Sequence, residues 1–171
     1  MYHFCRFFCS IFYSLILLSV FTVQSAPNQP ALNFQHTERT ILVNPAFLQQ
    51  LVKSSGKLPI SSYRAINGEI ATEHFQFQAH SLAPFQIIAN QDKLAIKWTL
   101  PKANTSELYT ANAENNIIAK NVARFLFGSD QLISKLNENH SYSTNLLSEN
   151  QIWRISAVRA GVDYSIIIIP N

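Results

Sequence analysis

The stretch VDYSIIIIPN, residues 162–171, carries four isoleucines in a row, Ile166 to Ile169. β-Branched residues are stiff at χ1 and fit extended backbone. Successive side chains of a strand point to opposite faces. Ile166 and Ile168 therefore share one face, and Ile167 and Ile169 the other. An edge strand this apolar is an aggregation hazard. The run is read as an interior strand, with the core on one side and a covering helix on the other. Full burial contributes about 1.5–3 kcal/mol per isoleucine. Pro170 is expected to end the pairing. The competing reading is an apolar tail that docks on a partner.

Working back from this strand, Ile152–Val158 alternates as a second one, with Ala160-Gly161 in the turn between them. Asn137 to Asn150 is polar and reads as a loop. Ser106 or Glu107 to Phe127 is a helix, because Leu108, Ala111, Ile118, Val122 and Phe125 form one stripe and Gly128 follows. Ser129 reads as the cap of a second short helix with Leu132, Ile133 and Leu136 inward. This pair of helices, 106–137, is the expected cover for the isoleucine strand.

The middle of the chain is a β region. Asn67-Gly68 is a strong hairpin signal. It joins Ser62–Ile66 to a strand that starts at Glu69 and continues as His74-Phe75-Gln76-Phe77-Gln78-Ala79-His80. Phe75, Phe77 and Ala79 share one face, and His74, Gln76, Gln78 and His80 the other. Phe85–Ala89 and Leu94–Leu100 make a second hairpin through Asn90 to Lys93. One wet and one dry face marks an antiparallel sheet. Upstream, Asn44-Pro45 starts a helix that runs to about Ser54, since Asn caps and Pro suits the first helical position. Arg39–Val43 is a short strand by composition. The fold expected is α+β: an antiparallel β-sheet of about five to seven strands with helices packed on one face.

The first residues read MYHFCRFFCSIFYSLILLSVFTVQSA. One cation, Arg6, precedes an apolar stretch from Phe7 to Val23, and small residues follow at Ser25 and Ala26. This is the pattern of an export signal. The expected organisation is a signal peptide over 1–26 and a single α+β domain over 27–171. An uncleaved anchor is the alternative. No other segment is long enough to cross a bilayer. Both cysteines, Cys5 and Cys9, lie in the signal, so the processed chain is expected to be free of disulfides. Export without disulfides suits a periplasm, with full secretion as the alternative location.

Without Arg6 there are twelve Lys or Arg against ten Asp or Glu. These charges are scattered, and no basic run marks a nucleic-acid surface. Two glycosylation sequons, at Asn104 and Asn139, are what chance gives in a chain this rich in Asn.

Chemistry-bearing constellations are few. His74 and His80 share a strand face but stand six residues apart, roughly 20 Å in extended chain, too far for one metal. Glu73 and His74 are strand neighbours and point to opposite faces. His140-Ser141 lies in a polar loop with no third group marked. No nucleophile elbow, zinc-helix motif or phosphate loop occurs, and the chain has only four glycines. No catalytic residue, metal ligand or cofactor is assigned. The strand aromatics Phe75, Phe77, Phe85, Trp98 and Trp153 are the candidate ligand-binding residues, either as core or as the lining of an apolar groove. The function expected is a non-catalytic binding or accessory protein of the cell envelope, acting through a protein partner or an apolar small molecule. The alternative is a small exported hydrolase using a histidine and a carboxylate.

Overall fold

The computed structural model describes residues 42–78, 80–138, 140–148 and 151–171. The signal sequence with Cys5 and Cys9, and Arg39–Ile41 of the expected first strand, lie outside the described residues. Leu42 and Val43 form a 3₁₀ turn rather than the end of a strand. Helix α1 follows over Pro45–Ser54. Asn44 Oδ1 accepts from the amides of Ala46 and Phe47 at 2.9 and 3.3 Å, so the expected cap is in place.

Four strands come next: β1 (Ser61–Asn67), β2 (Ile70–Gln76), β3 (Phe85–Asn90) and β4 (Lys93–Thr99). Each pairs antiparallel with the next. The β1–β2 turn consists of Gly68 and Glu69, one residue later than the Asn67-Gly68 turn expected, with Gly68 at φ 62°. A Cβ there would strain a left-handed backbone. The β3–β4 turn is held by Asn90, whose Oδ1 accepts from the amides of Asp92 and Lys93, both at 2.9 Å.

Helix α2 spans Ser106–Phe127 and α3 spans Gln131–Asn137. Thr105 caps α2, and Gly128 ends it in the left-handed region. Asp130, not Ser129, precedes α3, and it makes no capping bond. The chain then enters β5 (Tyr142–Ser148), where the polar composition had suggested a loop. It is an edge strand, paired only to β6 (Gln151–Ala160). Its sequence, YSTNLLS, carries no period-2 apolar alternation, and its pairing with β6 is made by the backbone. Finally β7 (Asp163–Pro170) returns to the centre.

The seven strands form one antiparallel sheet in the order β1-β2-β3-β4-β7-β6-β5, with the three helices on one face. The isoleucine run is thus an interior strand, between β4 and β6. The expected two-sided cover is not what the described residues show. Ile166 and Ile168 are 1% and 0% exposed on the helix side, whereas Ile167 and Ile169 are only half-buried on the opposite face. Ile167 is shielded instead by its strand neighbours, opposite Ala95 on β4 and Ser156 on β6. Pairing also continues past the point where Pro170 was expected to stop it. Pro170 faces Trp153, and the Asn171 amide donates to Ile152 O at 2.8 Å.

The core lies between the helices and the sheet. Leu51, Ile87, Leu94, Ile96, Val122, Ile133 and Ile168 are fully buried within it. Helix α2 carries a set of asparagines that tie loops to it. Asn115, fully buried, donates to Ala83 O at 2.9 Å and to Thr99 O at 3.2 Å. Asn112 donates to Pro101 O at 2.7 Å and Asn121 to Ser55 O at 3.2 Å. Buried loop carbonyls need donors, and amide side chains on one helix supply them for three separate loops.

Candidate functional site

The five aromatics singled out in the sequence divide sharply. Phe77, Phe85, Trp98 and Trp153 are between 0% and 2% exposed. Three of them, joined by Tyr164, form a ladder across adjacent strands. Phe77 meets Phe85 edge-on at 5.9 Å, Phe85 stacks on Trp98 at 5.8 Å, and Trp98 stacks on Tyr164 at 5.2 Å. Offset and edge-on pairs at these separations are the favoured aromatic geometries. These rings are engaged with one another. Phe75 lines one surface cleft, and Trp98 with Tyr164 borders a second of about 430 Å³.

The first cleft, of about 630 Å³, lies between α1 and the outer strands. Strand alternation builds its floor: Ala71, Glu73 and Phe75 project from β2 toward the helix side. Helical spacing builds its wall, because Pro45, Leu48, Gln49 and Val52 lie along one side of α1. Arg64 enters from β1, with its Nε 3.4 Å from Glu73 Oε1. Glu69 and Gln91, from the two hairpin turns, close one end. Two carboxylates face one guanidinium here, and Glu69 makes no ion pair among the described residues. The cleft is therefore apolar at its base with a net negative rim at neutral pH.

The histidines are placed elsewhere. The His74 ring stacks on Tyr63 at 4.5 Å, nearly parallel, on the sheet face away from the helices. His80 lies beyond β2, in a turn where its Nδ1 accepts from the Leu82 amide at 3.3 Å. The two are thus not on one continuous strand face, because β2 ends at Gln76. His140 Nδ1 lies 3.7 Å from Glu138 Oε2, with both side chains 69% exposed. Among the described residues no group of three or more His, Cys, Asp or Glu is spaced to hold a metal.

A second polar cluster stabilises the loop after α1. Lys57 and Gln78 both donate to Glu114 Oε2. The Lys57 ammonium, helped by Gln78, holds the Glu114 carboxyl below its ordinary value against a smaller opposing effect of burial.

Sequence reasoning found Phe75 but not the cleft around it. The available signal was in the alternation itself. Glu69, Ala71, Glu73 and Phe75 fall on one face, and two acids on a face destined for the helix side indicate incomplete cover. No protein-family model, no curated protein and no solved structure matches the chain.

Proposed function

We propose that the protein is an exported, non-catalytic accessory protein of the cell envelope, working in the periplasm, that takes an apolar, cation-bearing segment of a protein partner into the α1–β2 cleft. The observation that carries this reading is the cleft itself. Its volume lies in the range of small binding sites, roughly 300–1,000 Å³. Its lining combines Leu48, Val52, Ala71 and Phe75 with the Glu69 carboxylate. Apolar contact supplies affinity, and the carboxylate selects a partner carrying Lys or Arg. The lining contains no nucleophile–base pair. The hydrolase alternative draws no support from the histidines, since His74 is stacked on Tyr63 and the His140–Glu138 pair stands out in water.

The test is a photo-crosslinking residue placed at Gln49, on the cleft wall, in cells that export the protein. The same residue at Tyr109, exposed near the start of α2, serves as the control. A protein adduct specific to position 49 is expected. Equal adducts at both positions, or none at 49, would reject the cleft as the partner site.

A further inference from the structure

We propose that the sheet face turned away from the helices holds a second binding site, for a small apolar molecule carrying one negative charge, with Lys97 as its anchor. The cleft of about 430 Å³ bordered by Trp98 and Tyr164 opens on this face. Strand alternation puts Lys97 of β4 and Ser165 of β7 on the same side as Ile167, opposite to Ile166 and Ile168. The register lays the floor out in rows. Gln86, Lys97, Ser165 and Val158 stand side by side across β3, β4, β7 and β6. Ile88, Ala95 and Ile167 form the next row on one side. Thr99, Asp163 and Ala160 form the next row on the other.

The central row is made of donors. Lys97 offers an ammonium group, and Gln86 and Ser165 to either side of it offer an amide N–H and a hydroxyl. Among the described residues Lys97 makes no ion pair. Asp163, its diagonal neighbour across β4 and β7, does not engage it; Asp163 Oδ1 accepts instead from Thr99 Oγ1 at 2.8 Å. A carboxylate placed over Lys97 thus meets three donors in a line and breaks no ion pair to do so. The adjoining row is apolar, with Ile88 and Ile167 half-buried on either side of Ala95. Val158, 38% exposed, adds an apolar wall on β6. An apolar body joined to the carboxylate covers these side chains, which otherwise face water.

The charges around the site limit the ligand to one anion. The next cation on this face of β4, Lys93, stands four residues from Lys97, about 13 Å away. A second negative group on the ligand would therefore lie over the apolar row, where it loses water without a partner, or against Asp163, where like charges repel. The volume falls within the range of small-molecule sites. A medium-chain fatty carboxylate has the required chemistry. The α1–β2 cleft lies on the other side of the sheet and its negative rim disfavours such a ligand, so the two sites stand or fall separately.

The test titrates decanoate into the exported protein by calorimetry, with decanol as the uncharged control and backbone amide shifts to locate the ligand. Decanoate is expected to bind at least about tenfold more tightly than decanol, the share of a hydrogen bond to a charged group. Lys97 is exposed, so Lys97→Gln is expected to keep the melting temperature and to weaken decanoate by at least about tenfold. Lys97→Arg is expected to retain binding. Lys93→Gln, which removes an equally exposed cation, is expected to leave the affinity unchanged. Shifts are expected at the amides of Gln86, Thr99 and Ser165, and not at Ala71 and Phe75 of the first cleft. Vesicles of phosphatidylcholine with phosphatidylglycerol are expected to capture no more protein than phosphatidylcholine alone. No decanoate bound, equal losses at positions 93 and 97, decanol equal to decanoate, or shifts confined to Ala71 and Phe75 would overturn the proposal. So would capture by phosphatidylglycerol vesicles that depends on Lys97, which would make this face a membrane-docking surface.

Discussion

Ile168→Ala and Ile167→Ala remove the same three carbons from adjacent residues of β7, and the fold gives them different costs. Ile168 is 0% exposed, set between Leu94 of β4 and Ile155 of β6 under the helices. At about 0.8 kcal/mol per buried carbon the lost transfer energy is about 2.4 kcal/mol. The cavity left in a packed core raises this to about 3–4 kcal/mol, within the usual range for such truncations. Ile167 is half-buried on the uncovered face, so the same change is expected to cost about 1 kcal/mol. Aspartate sharpens the contrast. Ile168→Asp buries a carboxylate with no partner and is expected to prevent folding. Ile167→Asp reaches water, and Lys93 and Lys97 flank its Ala95 partner on the same face at diagonal positions. The assay is urea unfolding followed by the fluorescence of the buried Trp98 and Trp153. A strand covered on both sides would give similar losses at 167 and 168. That result would refute the one-layer arrangement.

Asn115→Ala removes the donor for Ala83 O and Thr99 O and is expected to cost about 1–3 kcal/mol by urea unfolding; a loss under about 0.5 kcal/mol would mean water replaces the amide. The Glu114 carboxyl is held below its unfolded value of 4.5, so it adds stability above that pH and loses it as pH falls through the lower folded value. The difference in melting temperature between wild type and Glu114→Gln should therefore shrink on acidification, and it should correspond to less than about 1 kcal/mol because the side chain is 40% exposed. The exported protein is expected to begin at Ala26 or Pro27, as N-terminal sequencing will read; an intact Met1 on a membrane-bound product would establish an anchor.

What the sequence made legible follows from where the physics is local. The caps at Asn44 and Gly128 and the Asn90 turn depend on a few adjacent residues, and all three stand where the pattern placed them. The isoleucine run announced an interior strand because burial was unavoidable for at least half of it. It did not reveal which layer covered which face, since Ile167 is shielded by neighbouring strands that are distant in sequence. Strand β5 was missed because its pairing with β6 is specified by backbone bonds and carries little apolar signal. Phe75, Phe85, Trp98 and Trp153 were legible as strand residues, whereas Phe77 lies just past the end of β2, and the division between core and surface was not legible. Phe75 and Phe77 share an alternation, yet only Phe75 lies in β2 beside the gap left by α1. The cleft depends on where α1 packs against the outer strands, which no local pattern specifies.

The most direct test of partner binding at the cleft fills it from below. Ala71, on the floor, is changed to Trp, and the photo-crosslinking residue is kept at Gln49 on the wall. The melting temperature is expected to hold, because the new ring occupies existing space, and the adduct at position 49 is expected to disappear. An adduct that persists undiminished in a folded Ala71→Trp protein would show that the partner does not enter the cleft, and would contradict the account.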